Sequence, residues 1–304
     1  MSLYNKHRPS DFSEMYGNKV VLESLDVLLT KHNPPHSFLL TGGTGCGKTT
    51  VGRIIANILK CSSFDFRELD SATYRGIDDV REIRRNSQLK PVQGPVIVWL
   101  LDECHKLTGD AQNALLKILE NPPPHVFFVL CTTDPNKLLP TIRGRCSHFQ
   151  LNPLSEKDMF RLLKSIVRKE GERLSQEIYE QIILDSAGHP RNAIQILEQV
   201  LSVSPENRAE TARRYAEEIN ESIALCRALM KKRGWGEIAT ILKGLKSHDP
   251  EAVRRAVLGY VQTVLLNGAV NDRAGLILEE FKNPFYDSGF PQLTYACYAV
   301  TRNP

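Results

Sequence analysis

The run Gly42-Gly43-Thr44-Gly45-Cys46-Gly47-Lys48-Thr49-Thr50 carries the spacing GxxxxGK[ST], which cradles a polyphosphate. Its glycines let successive backbone N–H groups turn toward phosphate oxygens, and a helix that starts there adds the positive end of its dipole. Lys48 is placed to bridge the β- and γ-phosphates and Thr49 to offer its hydroxyl to Mg²⁺, while Cys46 contributes backbone rather than sulfur. Downstream, the apolar run Val96–Leu101 ends in Asp102-Glu103. A buried strand that delivers two carboxylates supplies a Mg²⁺ holder in Asp102 and, in Glu103, a group that orients and activates an attacking water. Together these residues predict phosphoryl transfer from a nucleoside triphosphate to water.

The elements that must position them are legible as alternating apolar runs and helical patterns, which predict a parallel sheet with helices on both faces. The strand candidates are Ser37–Leu40, Phe66–Asp70, Pro95–Leu101, Val126–Cys131 and Ser147–Leu151. Helices are expected near Thr49–Lys60, Asp78–Leu89 and Asp110–Glu120, the last stopped by Asn121-Pro-Pro-Pro124 because proline cannot continue a helix. From Pro153 the strand signal ends. Ser155 is a polar cap for a helix with Leu162, Leu163, Ile166 and Val167 on one face, and two more helices follow near Ser175–Ser186 and Pro190–Leu201. After Ser202-Val-Ser-Pro-Glu206, read as a linker, Ala212, Ala216, Ile219, Ile223, Cys226 and Met230 recur at helical spacing. The expected domains are therefore 1–152 (α/β), 153–202 (small, helical) and 203–304 (all-α).

Composition bounds this reading. Over 304 residues, 39 Lys+Arg against 35 Asp+Glu leave a net charge of only +4, so any polyanion site must be local. The seven cysteines are scattered, with no CxxC pair, which predicts reduced thiols in a cytoplasmic compartment. The N-terminus has no apolar signal core and no apolar run reaches the roughly 20 residues that span a bilayer, so no membrane partner is expected.

Several stretches together resemble the AAA+ ATPase subunits of sliding-clamp loaders, both the bacterial tau/gamma subunit of DNA polymerase III and the small subunits of replication factor C. They are Asp102-Glu-Cys-His-Lys-Leu-Thr-Gly-Asp-Ala-Gln-Asn-Ala-Leu-Leu-Lys-Ile-Leu-Glu-Asn-Pro-Pro123, Cys131-Thr-Thr-Asp-Pro-Asn-Lys-Leu138 and Arg143-Gly-Arg-Cys146. The segment Tyr4–Gly17 is similar to that family's N-terminal box, which implies that Arg8, Pro9, Tyr16 and Gly17 border an adenine pocket. The resemblance covers residues 1–202 motif by motif. It implies an α/β AAA+ P-loop NTPase domain followed by a helical lid and an all-α collar. It further implies that Thr133 is the sensor-1 residue near the γ-phosphate, that Arg145 is a finger reaching a neighbour's ATP site, and that Arg191 is the sensor-2 arginine of the lid. Gly144 replaces the serine of the finger motif, and Arg143 is the other candidate for that role. The four-cysteine zinc module of the tau/gamma subunit has only Cys61 in its place, so no zinc is expected. His105 and His125 are read as structural or surface residues.

For DNA, the segment Thr73–Arg85 offers a glycine-led helix start with Arg75, Arg81, Arg84 and Arg85 able to lie along a phosphate backbone. Thr108, Gly109 and Gln112 are weaker candidates for that role. The cluster Arg227, Lys231, Lys232 and Arg233 reads as charge complementing a helix C-terminus. The resemblance implies partners as well: other clamp-loader subunits in a ring or spiral of five, a sliding clamp and primer-template DNA, in a bacterial cell or a phage-infected host. Two other readings stay open at this point, a different AAA+ DNA motor such as a branch-migration helicase and a structural subunit that binds nucleotide without turnover.

Overall fold

In the computed structural model five strands pair in parallel in the order β2-β3-β4-β1-β5: β1 Ser37–Gly42, β2 Phe66–Asp70, β3 Ile97–Asp102, β4 Val126–Thr132 and β5 Ser147–Leu151. The structure describes residues 2–186, 188–267, 271–286 and 288–303, and leaves aside the side chains at 185, 213–221, 223, 263, 266 and 267. The chain divides into two compact units, Met1–Pro205 and Glu206–Pro304.

In the first unit the inner strands β1, β3 and β4 are buried almost end to end and mostly apolar because both faces of the sheet are covered, the signature of a parallel sheet. Side-chain alternation sorts them. Phe38, Leu40, Val98, Leu100, Val129 and Cys131 pack beneath α2 (Lys19–Leu29) and α3 (Lys48–Ile58). On the other face Leu39, Trp99, Leu101, Phe128 and Leu130 pack against α4 (Ile77–Asn86) and α5 (Gly109–Glu120). Helix α3 lies so close to β3 that a Cβ on Gly52 would stand 2.4 Å from Leu100 Cδ1. Two four-residue helices, α1 (Leu3–Lys6) at the N-terminus and α6 (Pro140–Arg143) before β5, complete the α/β part. Three helices then close the unit: α7 (Glu156–Lys169), α8 (Gln176–Ser186) and α9 (Pro190–Ser202). The Ser155 side chain accepts a hydrogen bond from the Asp158 amide, capping α7 as its sequence predicts.

The differences from expectation have local causes. Strand β3 starts at Ile97 and not Pro95, and it runs on to Asp102, which pairs with Asp70. Helix α4 stops at Asn86, where the Ser87 hydroxyl donates to the Ile83 carbonyl at 2.7 Å. Helix α2 has no counterpart in the sequence reading, although Leu22, Leu25 and Leu29 form its buried stripe.

The second unit packs α10 (Arg208–Met230), α11 (Trp235–Gly244), α12 (Pro250–Asn267), α13 (Asp272–Phe281) and α14 (Gly289–Arg302) around one apolar core. From the expected stripe on α10, Ala212 and Cys226 are buried and Met230 packs against the core, while Ala216, Ile219 and Ile223 lie outside the described side chains. Arg227 lies in the last turn of α10 and Lys231 at its C-cap, the end of the helix where the basic cluster is expected. A buried ion pair joins α12 to the chain after α13. The Arg254 guanidinium donates to both Glu251 oxygens at 2.6 and 2.7 Å and to the Phe281 carbonyl, and the Phe285 amide donates to Glu251. The Arg254 bond, against the burial that opposes it and with the Phe285 amide helping, holds Glu251 down to about 2 from an ordinary 4.5. Among the described residues, no helix is long and apolar enough to cross a membrane.

Candidate nucleotide site

The C-terminal ends of β1, β3 and β4 deliver the phosphate loop, Asp102-Glu103 and Thr132-Thr133 to one edge of the sheet. This edge is where parallel α/β sheets bind ligands, because the chain leaves β1 toward β2 and leaves its neighbour β4 toward β5, in opposite directions across the sheet. Gly42 ends β1 at φ +143°, and a Cβ there would sit 2.2 Å from the Leu151 carbonyl oxygen, so the loop can leave the sheet only through glycine.

Lys48 is buried, with its ammonium donating to the Gly42 and Gly43 carbonyls at 2.9 Å each. The Thr49 hydroxyl donates to Asp102 Oδ2 at 2.7 Å, and Asp102 Oδ1 accepts the Glu103 amide at 3.0 Å. A hydroxyl and a carboxylate so juxtaposed at the mouth of a phosphate loop fit Mg²⁺, which takes oxygen donors and shares them with substrate phosphates. Glu103 stands at φ 50°, in the left-handed region that costs a non-glycine residue about 1 kcal/mol or more. Thr133 Oγ1 donates to Glu103 Oε2 at 3.4 Å, so sensor candidate and carboxylate are brought together. His105 joins them: its Nε2 is 3.5 Å from Glu103 Oε2, and its Nδ1 meets the buried Thr132 hydroxyl at 3.0 Å. The sequence reading left His105 without a place at the site, since a single histidine carries no spacing signal.

Beside the loop lies a pocket lined by Arg8, Pro9, Tyr16, Gly45, Cys46, Gly47 and Thr50, all expected from sequence. Tyr4, His7, Met15, Leu154, Leu162, Pro190 and Ile194 complete it; Leu154 comes from the loop after β5, Leu162 from α7, and Pro190 and Ile194 from α9. Gly17 is one step removed, with φ +67° and packing on Leu154. Gly43 and Thr44 are exposed at the tip of the loop. Cys46 Sγ faces His189 Nδ1 at 3.6 Å, and burial raises its thiol pKa against the pull of Lys48. Arg191 flanks the loop, its Cβ 3.2 Å from where a Cβ on Gly45 would be, and its guanidinium donates to Tyr4 Oη at 3.3 Å.

The arginines expected to act across an interface are held elsewhere. Arg145 ion-pairs with Glu120 and donates to the Thr141 carbonyl at 3.0 Å. Arg143 has its Nε buried with no hydrogen-bond partner among the described residues. Arg75, Arg81, Arg84, Arg85 and Thr108 are exposed, and the Thr108 amide donates to the Arg75 carbonyl at 3.0 Å, tying the starts of α4 and α5 together. Arg81, Arg84 and Lys117 line a groove between those helices. Gln112 is a correction. It is buried, donating to the Leu107 and Lys137 carbonyls at 3.1 and 3.3 Å and accepting the Leu139 amide at 2.9 Å, so its amide is not available to DNA. His125 bonds the Leu89 carbonyl at 2.8 Å, a structural role. Among the described residues, no three His, Cys, Asp or Glu side chains gather as a metal cluster.

Relatives place this geometry. Over 90% of its length the chain is 32% identical to the DNA polymerase III subunit gamma/tau of Mycobacterium tuberculosis, covering 52% of that protein. The DNA polymerase III subunit gamma of Buchnera aphidicola (Schizaphis graminum) is 36% identical over 67% of this chain and 62% of its own. The chain is a homologue of the DNA polymerase III gamma/tau subunits. It spans about half the length of the gamma/tau relatives it matches at 32% identity. A family model described as DNA polymerase III, delta subunit, matches residues 65–155 of this gamma/tau homologue. The Thermotoga maritima RuvB Holliday junction branch migration motor matches with a TM-score of 0.60 at 20% identity, covering 78% of this chain and 85% of that one. That likeness shows the fold: an AAA+ domain with a helical lid, followed here by an all-helical C-terminal unit.

Proposed function

We propose that this chain is the ATP-hydrolysing subunit of a sliding-clamp loader, in which ATP bound at subunit interfaces drives the opening of a clamp and its loading on primer-template DNA. The observation that carries the reading is the constellation at the strand ends: Thr49 on Asp102, with Thr133 and His105 on Glu103, beside a buried Lys48. Its setting, in a chain 32% identical to gamma/tau subunits, supports the clamp loader over a branch-migration motor, with which only the fold is shared.

In this reading Lys48 and the loop amides neutralise the β- and γ-phosphates. Thr49 and Asp102 would hold Mg²⁺, which would supply charge neutralisation for the phosphates. Glu103, set by Thr133 and His105, orients the attacking water and takes up its proton. Arg191 contacts the nucleotide of its own subunit, and Arg145 reaches the site of a neighbour, where an arginine finger is worth about 10³–10⁵ in rate. Arg145 suits that task better than Arg143 because its side chain is a third exposed, whereas Arg143 Nε is buried. The pocket of Arg8, Pro9 and Tyr16 takes the adenine. Residues 1–152 act as the ATPase domain, 153–202 as the lid and 203–304 as the collar that joins five subunits in a spiral. The exposed arginines of α4 track DNA inside that spiral, without reading sequence. The setting is the cytoplasm of a bacterium or a phage-infected host.

Loading can be read directly. The assembled complex, labelled clamp and primed circular DNA are passed over a sizing column, and clamp co-eluting with DNA only when ATP is present is expected. ATP-dependent strand separation without any need for a clamp would point to a motor instead.

A further inference from the structure

The ring of Tyr4 lies where the N-terminal segment, the phosphate-loop helix and the lid meet. The guanidiniums of Arg8 and Arg191 stand over it, 4.9 and 5.0 Å from its centroid. Its hydroxyl accepts the Arg191 bond at 3.3 Å, and the buried Thr50 of α3 lines the same pocket. The segment around it is tied to the lid and not to the sheet. The Leu3 amide donates to Glu198 of α9 at 3.1 Å, and Lys6 and His7 share the carboxylate of Glu170 at the end of α7. Burial would raise the Tyr4 phenol, but the Arg191 bond, the charges of Arg191 and Arg8 and the nearby Thr50 hydroxyl together lower it below the ordinary value.

A free arginine side chain samples many rotamers and loses that freedom when it binds phosphate. One already drawn to an aromatic face and bonded at its rim loses less. Two guanidiniums gathered on one ring also concentrate positive charge beside the loop, and a third phosphate relieves that concentration more than two phosphates do.

We propose that Tyr4 is a positioning residue that sets the Arg191 guanidinium, and through it the preference of the site for nucleoside triphosphate over diphosphate, and that couples this preference to the adenine pocket through Arg8. The inference rests on the reading of Arg191 as the lid arginine that meets the nucleotide.

The test measures fluorescent ATP and ADP binding to the full chain and to Tyr4→Phe, Tyr4→Leu, Arg191→Ala and the Tyr4→Leu/Arg191→Ala pair. Arg191→Ala should remove most of the ATP-over-ADP preference. Tyr4→Leu should lower that preference about fivefold and Tyr4→Phe, which keeps the ring face, about twofold. Adding Tyr4→Leu to Arg191→Ala should change it no further. If Arg191→Ala collapses the preference and Tyr4→Leu leaves it intact, or weakens ATP and ADP equally, the role of Tyr4 is overturned while the lid reading stands. If Arg191→Ala itself leaves the preference intact, the lid reading falls first. A nucleotide-free readout covers a poorly folded Tyr4→Leu. With ring-labelled tyrosine, the carbon resonance lost in Tyr4→Phe should titrate below the ordinary phenol range and move upward in Arg191→Ala; an unmoved titration would overturn the proposal.

Discussion

Glu103→Gln separates binding from chemistry at this site. Glutamine keeps the length and shape of the side chain, and its carbonyl can still accept from Thr133 at 3.4 Å and lie by His105 at 3.5 Å. Both residues meet the same left-handed backbone, φ 50°, so the substitution adds no new strain. Glutamine cannot take a proton from water. A positioned general base contributes about 10²–10⁴ in rate, which is roughly 3–5 kcal/mol of barrier. Thr49, Asp102 and Lys48 are untouched, so triphosphate affinity should stay within about twofold while single-turnover hydrolysis in the assembled complex falls at least a hundredfold. Fluorescent-nucleotide titration and quench-flow phosphate release measure the two quantities. Hydrolysis within threefold of the unmodified protein would refute the assignment of Glu103, and a parallel loss of affinity would mean that the carboxylate holds the metal instead.

Other consequences are open to measurement. Glu251 is held at about 2 against an ordinary 4.5, so its contribution is fully present above about pH 4.5 and fades as the pH falls toward 2. Acid unfolding of the C-terminal unit should therefore show about 3 kcal/mol of pH-dependent stability that Glu251→Gln abolishes, and a flat pH profile in the unmodified protein would contradict it. Arg81→Ala and Arg84→Ala should each reduce the slope of log affinity for primer-template DNA against log salt by about 1, equally on unrelated sequences; an unchanged slope removes these side chains from the DNA path. Subunits with Arg145→Ala mixed with subunits carrying Lys48→Ala should recover part of the turnover that neither gives alone, because one retains the finger and the other an intact phosphate loop. A mixture that assembles and stays inactive would speak against a finger acting in trans.

What was legible in the sequence was what is local. The loop Gly42–Thr49 and the pair Asp102-Glu103 name their own chemistry, and the strands Phe66–Asp70 and Ser147–Leu151 stand where the apolar runs place them. Contacts between distant residues left no such mark. Leu154, Leu162, Pro190 and Ile194 reach the pocket from more than a hundred residues beyond the loop, and their apolar character reads equally well as lid core. Gln112 looked like an exposed helix-start residue because composition does not tell which face of α5 meets the loop at Lys137 and Leu139. Helix α2 was missed although Leu22, Leu25 and Leu29 carry its period, since two valines at Val20 and Val27 point outward and blur it.

In the proposed function this chain hydrolyses ATP to load a clamp. The most direct measurement is the ATPase rate of the assembled complex alone, with primer-template DNA, with the cognate clamp, and with both. A low basal rate is expected, with partial stimulation by each and the highest rate with both together, all lost in Lys48→Ala. Stimulation by DNA that the clamp leaves unchanged would contradict it.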